Sequence, residues 1–171
     1  MQNDDPALTA DDFRITEIPF DDARAEGIRA AMNREMSLRY AGSFDDFTPE
    51  QVARANASMV LRAEEAIVSV LALAPDGSAA AHAMLREHRG DWEVKRVVTA
   101  PEYRGFGLAA RVMTALHEYA RERGVPRLVL QCGNRQPEAV ALYTKLGYTP
   151  IDTYEPYRSD MPNSLCFEII L

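Results

Sequence analysis

The sequence predicts a three-layer α/β (α+β) domain whose mixed, mostly antiparallel sheet is flanked by helices, in the order β-α-α-β-β-β-α-β-α-β-β. Three observations support this prediction. One early segment shows the residue spacing of an amphipathic helix, and a second begins with the residues typical of a helix start. Three strand-like segments follow with only short turns between them, which favours hairpins. Helices and short strands then alternate to the end of the sequence, as is typical of α/β domains.

The first half of the chain is predicted to form a strand, two helices and a hairpin. Thr48 and Pro49 are a favourable cap and first-turn residue for the second helix. The segment 66–74 is continuous and rich in β-branched residues, as buried strands are, and 75–78 has the composition of a turn. The predicted elements are a strand over 13–18, helices over 21–40 and 48–59, and strands over 66–74 and 79–87.

The second half is predicted to contain two more helices and four more strands. Apolar residues on one face indicate a long helix, which Gly124 and Pro126 end. A loop rich in tyrosine and proline joins the last two strands. The predicted elements are strands over 92–99 and 128–132, helices over 107–123 and 137–146, and strands over 148–152 and 165–171.

Length and charge define the domain and exclude some classes of protein. The 171 residues fit one domain, and their 47% hydrophobic content is sufficient for a core. Residues 1–22 hold seven acidic side chains and one arginine, which accounts for most of the net charge of −7. We therefore expect a disordered acidic segment over 1–11 and a single domain over 12–171.

The composition also excludes several partners. No apolar run approaches the ~20 residues that span a bilayer, and the acidic N-terminus lacks the apolar core of a signal peptide. An acidic chain without a basic cluster is a poor nucleic-acid binder. We therefore expect a cytoplasmic protein that binds neither membranes nor nucleic acid.

The cysteines and histidines predict no metal site. Cys132 and Cys166 are far apart in sequence, and no histidine has metal-ligand spacing to them or to another histidine. His82 alternates with alanines, which places it towards solvent or a cleft, and His117 lies on the polar face of the long helix, where it should be solvated. Two thiols in a chain that is not secreted are expected to be reduced.

The strongest local signal is the segment 97–109, in which a strand ends, glycines turn the chain and a helix begins. Such a junction directs backbone N–H groups and the positive end of a helix to one point, which suits a phosphate. Gly105 and Gly107 permit close approach of the backbone, and Arg104 adds a planar cation that can bind pyrophosphate.

Three kinds of phosphate-binding loop fit this segment to different degrees. A Walker loop is excluded because no lysine follows the glycines. Residues 105–110 match the relaxed GxGxxA pattern of dinucleotide-binding proteins, but the next strand ends without an acidic residue and about 90 residues precede the motif. The third is the Arg/Gln-x-x-Gly-x-Gly/Ala loop of coenzyme A acyltransferases, which Arg104, Gly107 and Ala109 satisfy.

With this loop the sequence resembles the GNAT-family N-acetyltransferases over about residues 13–171, most densely from Trp92 onward. A second element, 136–148, is similar to the family pattern N-x-x-A-x-x-L-Y-x-x-x-G-F, and the C-terminal pattern resembles a bacterial subgroup whose acceptors are mostly unassigned. The resemblance implies a GNAT-like fold and an acyltransferase that takes acetyl-CoA as co-substrate and needs no metal.

The resemblance also implies a coenzyme A site. Backbone amides of the glycine loop would bind the pyrophosphate, and the preceding strand would separate from its neighbour, pair with the pantetheine and offer an N–H to the acetyl carbonyl. Gln136 stands where most members have asparagine, and its amide can still bond pantetheine or backbone. The implied cofactor-binding residues are Val97, Val98, Thr99, Arg104, Gly105, Phe106, Gly107, Leu108, Ala109, Gln136 and Tyr143.

Two catalytic residues are implied. The tyrosine that matches Tyr143 is the family's usual proton donor to the leaving thiolate, which suits a phenol. Glu93 matches the position at which some members carry a general base, but it could also be an exposed residue paired with Lys95 or Arg96. Other members carry the base at the position of Gln131, which cannot act as one. A water chain or an amine that is already neutral are the alternatives.

The resemblance places the acceptor cleft between the first two helices and the last inter-strand loop. The candidate contacts are Arg39, Tyr40, Tyr154 and Tyr157. Aromatic rings and charges of both signs in these elements fit a small primary amine, which could also carry a carboxylate, and a peptide N-terminus is the alternative. We expect direct transfer in a ternary complex, and a homodimer is a candidate assembly because many members are dimers.

Three other readings of the sequence stay open. An acyl-enzyme on Cys132 would require an activating histidine, and none is adjacent in sequence. The same loop could also serve a non-catalytic acyl-CoA sensor or, third, a dinucleotide-binding protein.

Overall fold

The computed structural model describes residues 8–171, which form one seven-stranded sheet with the strand order β1-β2-β3-β4-β5-β7-β6. In chain order the elements are β1 (Arg14–Ile18), α1 (Ala23–Arg39), α2 (Pro49–Ser58), β2 (Ala66–Leu73), β3 (Ala79–His88), β4 (Asp91–Thr99), α3 (Leu108–Glu122), β5 (Arg127–Gly133), α4 (Pro137–Lys145), β6 (Thr149–Ile151), α5 (Tyr157–Asp160) and β7 (Ser164–Ile170).

The predicted fold class and element order are confirmed. The sheet is mixed because β4 and β5 are parallel, whereas the other neighbouring strands are antiparallel. Among residues 8–171, α5 is the one α-helix that the sequence pattern did not predict, and it lies in the loop between the last two strands. No helix within residues 8–171 has the length and apolar character to cross a membrane.

The predicted disordered segment over 1–11 falls mostly on residues 1–7, which lie outside the described part of the chain. Ala10–Asp12 forms a short 3-10 helix, whose first turn is closed by Asp12. The Asp12 carboxylate accepts hydrogen bonds from the Thr9 amide at 2.7 Å and from the Thr9 hydroxyl at 2.8 Å.

The sheet separates two layers of helices. On one face, Val112 and Leu116 of α3 pack into a core with Leu128 and Leu130 of β5. On the other face, α1 contributes Ile28 to a smaller cluster with strand β2. Helix α2 contacts α5 on the same side as α1. The larger of the two apolar clusters therefore includes α3, and the smaller one includes α1.

Strands β4 and β5 separate along their length. They pair only over residues 92–94 and 128–130, although β4 continues to Thr99 and β5 to Gly133. A register irregularity between β3 and β4 accompanies the separation, and Arg96 has a left-handed φ of 58° at that point. An opening therefore lies between the carboxyl ends of two parallel strands.

Two histidines expected near solvent are buried, so those predictions were wrong. His82 is fully buried, and its Nδ1 lies 3.0 Å from the Arg96 carbonyl oxygen. His117 Nε2 lies 2.9 Å from the Tyr148 hydroxyl. Burial lowers the pKa of each imidazole to about 4. Tertiary contacts, which alternation and helix periodicity do not show, cover both rings.

Candidate active site

The opening between β4 and β5 leads into a cavity of about 490 Å³ on the α1–α2 face. Residues of both strands form its floor, and α1, α2 and α4 form its walls. Its apolar lining includes Met32, Met36, Met59, Met161 and Phe44. Its polar lining comprises Asn33, Ser37, Asn56, Lys95, Arg96, Gln131 and Gln136. The cavity therefore combines apolar side chains with polar groups from both the separated strands and the helices.

The edge of β4 that faces β5 has no strand partner beyond Val94. On its other edge Val98 pairs with His82 and Thr99 with Ala81, so the strand remains held by β3. The edge facing the opening thus presents N–H and C=O groups to a ligand, as the exposed edge of any sheet does. Val97 lines the cavity at this edge.

The glycine loop has the backbone geometry that the sequence indicated. Gly105 and Gly107 have φ values of 91° and 71°, which few other residues adopt. Gly107 is the N-cap residue immediately before α3, and no side chain caps the helix there. A Cβ at either glycine would meet no other atom within 4 Å, so open space lies above the loop. The amides at the start of this 15-residue helix are positioned to receive an anion.

Arg104 is oriented by a partner from α1. Its Nη2 donates to the Glu35 carboxylate at 2.7 Å, and its side chain is half-exposed. Glu35 also pairs with Arg39. Arg104 is therefore free to exchange an exposed carboxylate for another anion, because an exposed ion pair contributes little to stability.

Tyr143 lies on α4 with its ring packed among aromatic side chains. It is 6% exposed, and its ring centroid lies 5.9 Å from that of Tyr148 and 6.1 Å from that of Phe167. Its hydroxyl has no hydrogen-bond partner among residues 8–171, and the residue lines the cavity. Burial raises the pKa of Tyr143 well above that of an ordinary phenol, so the hydroxyl stays protonated.

Cys132 lines the cavity beside Tyr143, but its environment does not activate it. Burial raises the pKa of the Cys132 thiol to about 11. No histidine is among the described residues that line this cavity. A nucleophilic thiol requires a depressed pKa or an adjacent base, so the geometry gives no support to an acyl-cysteine route.

Glu93 is enclosed in a polar network behind the cavity. Its carboxylate accepts from Arg86 Nε at 2.7 Å and from the hydroxyls of Tyr154 and Tyr157, each at 2.8 Å. It is completely buried and does not line the cavity, so the alternative of an exposed strand residue was wrong. Burial alone would raise the pKa of Glu93, but Lys95 and Arg86 lower it below its ordinary value.

Lys95 connects this network to the cavity. It lies two residues after Glu93 on β4, so both side chains project from the same face of the strand. Its Nζ donates to the Tyr157 hydroxyl at 3.0 Å, and the residue lines the cavity although it is only 4% exposed. Burial lowers the pKa of Lys95 to about 8, against the opposing effect of Glu93.

Of the four predicted acceptor contacts, one lines the cavity and the other three do not. Tyr40 lines the cavity, where its hydroxyl accepts from the Gln136 side chain at 3.3 Å. Arg39 pairs with Glu138 and Glu35 instead, and Tyr154 and Tyr157 hold Glu93 behind the cavity.

Sequence reasoning missed the lysine and the methionine wall of this site. The methionine spacing on the first helix indicated an apolar face, but not that this face borders a cavity rather than the core. The same-face spacing of Glu93 and Lys95 was the available signal for the lysine.

The separated strands and the helix that follows Gly107 form a scaffold that suits an acyl-CoA-dependent acyltransferase. Residues 28–148, more than half of the chain, match the family model described as Acetyltransferase (GNAT) family. The chain therefore belongs to the GNAT acetyltransferase family.

Similar proteins agree with this assignment. The chain is 35% identical over 79 residues to the IAA acetyltransferase of Azospirillum brasilense, which covers 46% of this chain and 51% of the relative. The chain spans 26% and 51% of the lengths of the two curated relatives that it matches.

Solved structures resemble it over nearly its whole length. A putative acyl-CoA N-acyltransferase from Klebsiella pneumoniae subsp. pneumoniae MGH 78578 is 28% identical with a TM-score of 0.72, covering 93% of this chain and 97% of that one. A GNAT family acetyltransferase from Elizabethkingia anophelis, solved with acetyl-CoA bound, shares the fold with a TM-score of 0.62 at 14% identity, over 94% and 99% of the two chains.

Proposed function

We propose that the protein transfers the acetyl group of acetyl-CoA to the primary amine of a small molecule, with both substrates bound at once. The observation that carries this proposal is the separation of β4 and β5. It brings the unpaired edge of β4 and the Tyr143 hydroxyl to one cavity, and β4 leads directly into the glycine loop.

Backbone groups of the glycine loop and of β4 form most of the proposed acetyl-CoA site. We assign the pyrophosphate of acetyl-CoA to the amides of the glycine loop at the start of α3, with Arg104 as its cation. The edge of β4 over residues 97–99 would pair with the pantetheine, and Gln136 would assist. An N–H of this edge would donate to the acetyl oxygen and stabilise the negative charge that develops on it.

Acetyl-CoA supplies an acyl carbon that an uncharged amine can attack, after which the carbon–sulfur bond breaks. Tyr143 donates its phenolic proton to the departing thiolate sulfur, and its raised pKa ensures that the proton is present. The amine's surplus proton returns to solvent, from which Tyr143 is reprotonated, so each turnover balances.

Glu93 has a positioning role in this proposal rather than direct contact with the amine. It fixes the hydroxyls of Tyr154 and Tyr157, and Tyr157 in turn holds Lys95 at the cavity. A carboxylate whose oxygens already accept three hydrogen bonds behind a wall of tyrosines has no path to a substrate nitrogen. Proton removal by water, or an amine that binds uncharged, fits the described cavity.

Two measurements test this function, one of donor binding and one of acetyl transfer. Thermal unfolding with acetyl-CoA, free coenzyme A and NAD(P) in parallel tests the donor class, because a ligand at about 100 times its Kd stabilises the protein by about 2.7 kcal/mol. Amine-dependent release of the coenzyme A thiol, with the acetamide identified by mass, tests the transfer. Stabilisation by acetyl-CoA without thiol release for any amine would instead support a non-catalytic acyl-CoA sensor.

Assembly and location are further parts of the proposal. We propose a cytoplasmic setting, which the two free, buried thiols of Cys132 and Cys166 support. The homodimer is carried by the family resemblance alone, and sedimentation analysis would test it.

A further inference from the structure

The cavity is electropositive in a protein whose net charge is −7. Lys95 and Arg96 line it, and no aspartate or glutamate is among the described residues that do. Two cations beside a bound ammonium group disfavour its charged form. An acceptor amine would therefore bind here uncharged, and the cavity offers no carboxylate to hold a cation.

The two cations differ in what they offer a ligand. Arg96 already uses both terminal nitrogens, one on the Asn33 side-chain oxygen and the other on the Met59 carbonyl oxygen at 3.1 Å, and its Nε is the one nitrogen of the guanidinium without a partner among residues 8–171. Lys95 donates one hydrogen bond within residues 8–171, to the Tyr157 hydroxyl. Its ammonium group therefore has two further donors in a place that is almost closed to water.

The Lys95 donors favour an anionic ligand. A buried donor without a partner costs free energy, and a carboxylate would satisfy both donors and the charge. Glu93 does not accept a hydrogen bond from Lys95, and its carboxylate already accepts three, from Arg86 and the two tyrosine hydroxyls. The anion that accepts hydrogen bonds from the two remaining Lys95 donors would therefore come from the substrate.

The apolar part of the cavity lining indicates the rest of the acceptor. Met32, Met36, Met59 and Met161, the methionine wall, line the cavity together with Phe44. Methionine side chains are flexible and polarizable, so they can pack around apolar groups of differing shape. Such a wall favours an apolar or aromatic body on the acceptor.

We propose that the acceptor is an amino acid with an apolar side chain, whose carboxylate binds Lys95 and whose side chain lies against the methionine wall. This inference rests on the proposed acetyl transfer and specifies its substrate class.

Matched pairs of acceptors test the carboxylate directly. Initial rates are compared for phenylalanine against phenethylamine, for tryptophan against tryptamine, and for methionine against 3-(methylthio)propylamine. Glycine supplies a carboxylate without an apolar body. We expect kcat/KM to be at least tenfold higher for each amino acid than for its decarboxylated partner, and higher for phenylalanine than for glycine.

A variant of Lys95 then tests whether this residue causes the preference for amino acids over their decarboxylated partners. Lys95→Met keeps the length of the side chain and removes its charge, and the exposed Lys145→Met is the matched control. In the Lys95 variant we expect the KM for phenylalanine to rise at least tenfold while the KM for phenethylamine changes little. The control variant keeps the wild-type preference. Thermal stabilisation by acetyl-CoA checks that each variant is folded.

The outcomes separate the two proposals. Amines without a carboxylate that react as well as their amino acids would overturn the substrate class while leaving the acetyl transfer intact. If neither arm of the panel were acetylated by a protein that acetyl-CoA stabilises, the substrate class would be overturned, and thiol release with a wider set of amines would then decide the proposed function. Should Lys95→Met not fold, the wild-type comparison of matched pairs still decides the question.

Discussion

The Tyr157 hydroxyl donates a 2.8 Å hydrogen bond to Glu93 Oε1, and both side chains are completely buried. The same hydroxyl accepts from Lys95 Nζ and from Arg86 Nη2, each at 3.0 Å. One tyrosine thus links an acidic group and two cations behind the cavity. Removing any member leaves another polar group buried without its partner, and this makes the network testable.

Glu93→Gln should reduce stability more than chemistry. The substitution keeps the shape of the side chain but leaves Arg86 and Lys95 without a buried anion, so we expect the free energy of unfolding to fall by about 3 kcal/mol. Because the folded pKa of Glu93 lies below the ordinary 4.5, the wild-type advantage is present above that pH and is lost as the pH falls through the folded value. Urea unfolding across this range measures both effects.

The exposed Glu122→Gln is the control for that experiment, since its pair with Arg123 is on the surface and should contribute well under about 1 kcal/mol. A large loss of kcat in Glu93→Gln with unchanged stability would show that Glu93 touches the reacting amine, contrary to its assigned position.

The burial of Lys95 should make the free energy of unfolding depend on pH in the alkaline range. Its pKa is about 8 in the folded protein and near 10.5 when unfolded, so between these values the unfolded chain binds more protons. The free energy of unfolding of the wild type, relative to Lys95→Met, should therefore rise with pH from about 8 to 10.5. Urea unfolding of both proteins at several pH values measures this difference. A difference that stays flat would mean that Lys95 is not desolvated.

Tyr143→Phe should separate catalysis from binding. Loss of the proton donor is expected to lower kcat about 100-fold, within the range for general acid catalysis, while the Kd for acetyl-CoA changes less than about twofold. Tyr119→Phe, on α3 and outside the cavity lining, should leave both constants unchanged. Equal kcat values for Tyr143→Phe and wild type would remove this hydroxyl from the chemistry.

Gly107→Ala tests the phosphate loop. The left-handed φ of 71° makes a side chain strained by about 1 kcal/mol, and its Cβ would enter the space above the loop. Gly77→Ala, at φ 84° in the β2–β3 turn, imposes similar strain away from the loop. We expect weaker acetyl-CoA binding in the first variant alone, measured by calorimetric titration. Equal affinity in both would argue against a donor site at the loop.

Local patterns predicted most of the fold, because strand and helix periodicities and their end signals lie within short segments. Helix α5 was missed because four residues are too few to show a helical period. The pairing of Arg86 with Glu93 could have been inferred, since the two residues lie directly opposite each other on the neighbouring strands predicted over 79–87 and 92–99. The contribution of Tyr157 could not, because it reaches Glu93 from a loop that is distant in sequence.

The cavity lining was the least predictable part of the site. Met32 and Met36 share a face of α1 with Ile28, and the spacing alone does not distinguish a residue in the core from one at a cavity. The distinction depends on the separation of β4 from β5, which is a tertiary feature. The glycine loop, in contrast, was recognisable because its function depends on backbone conformation that only a few residue types permit.

The kinetic mechanism provides the most direct test of the central proposal, direct acetyl transfer within the cavity. Initial rates are measured while acetyl-CoA and phenylalanine are both varied. Direct transfer predicts double-reciprocal lines that intersect, because both substrates occupy the protein before any product leaves. Parallel lines would contradict it, since they indicate that an acetylated enzyme forms first, and Cys132 would then be the residue to examine.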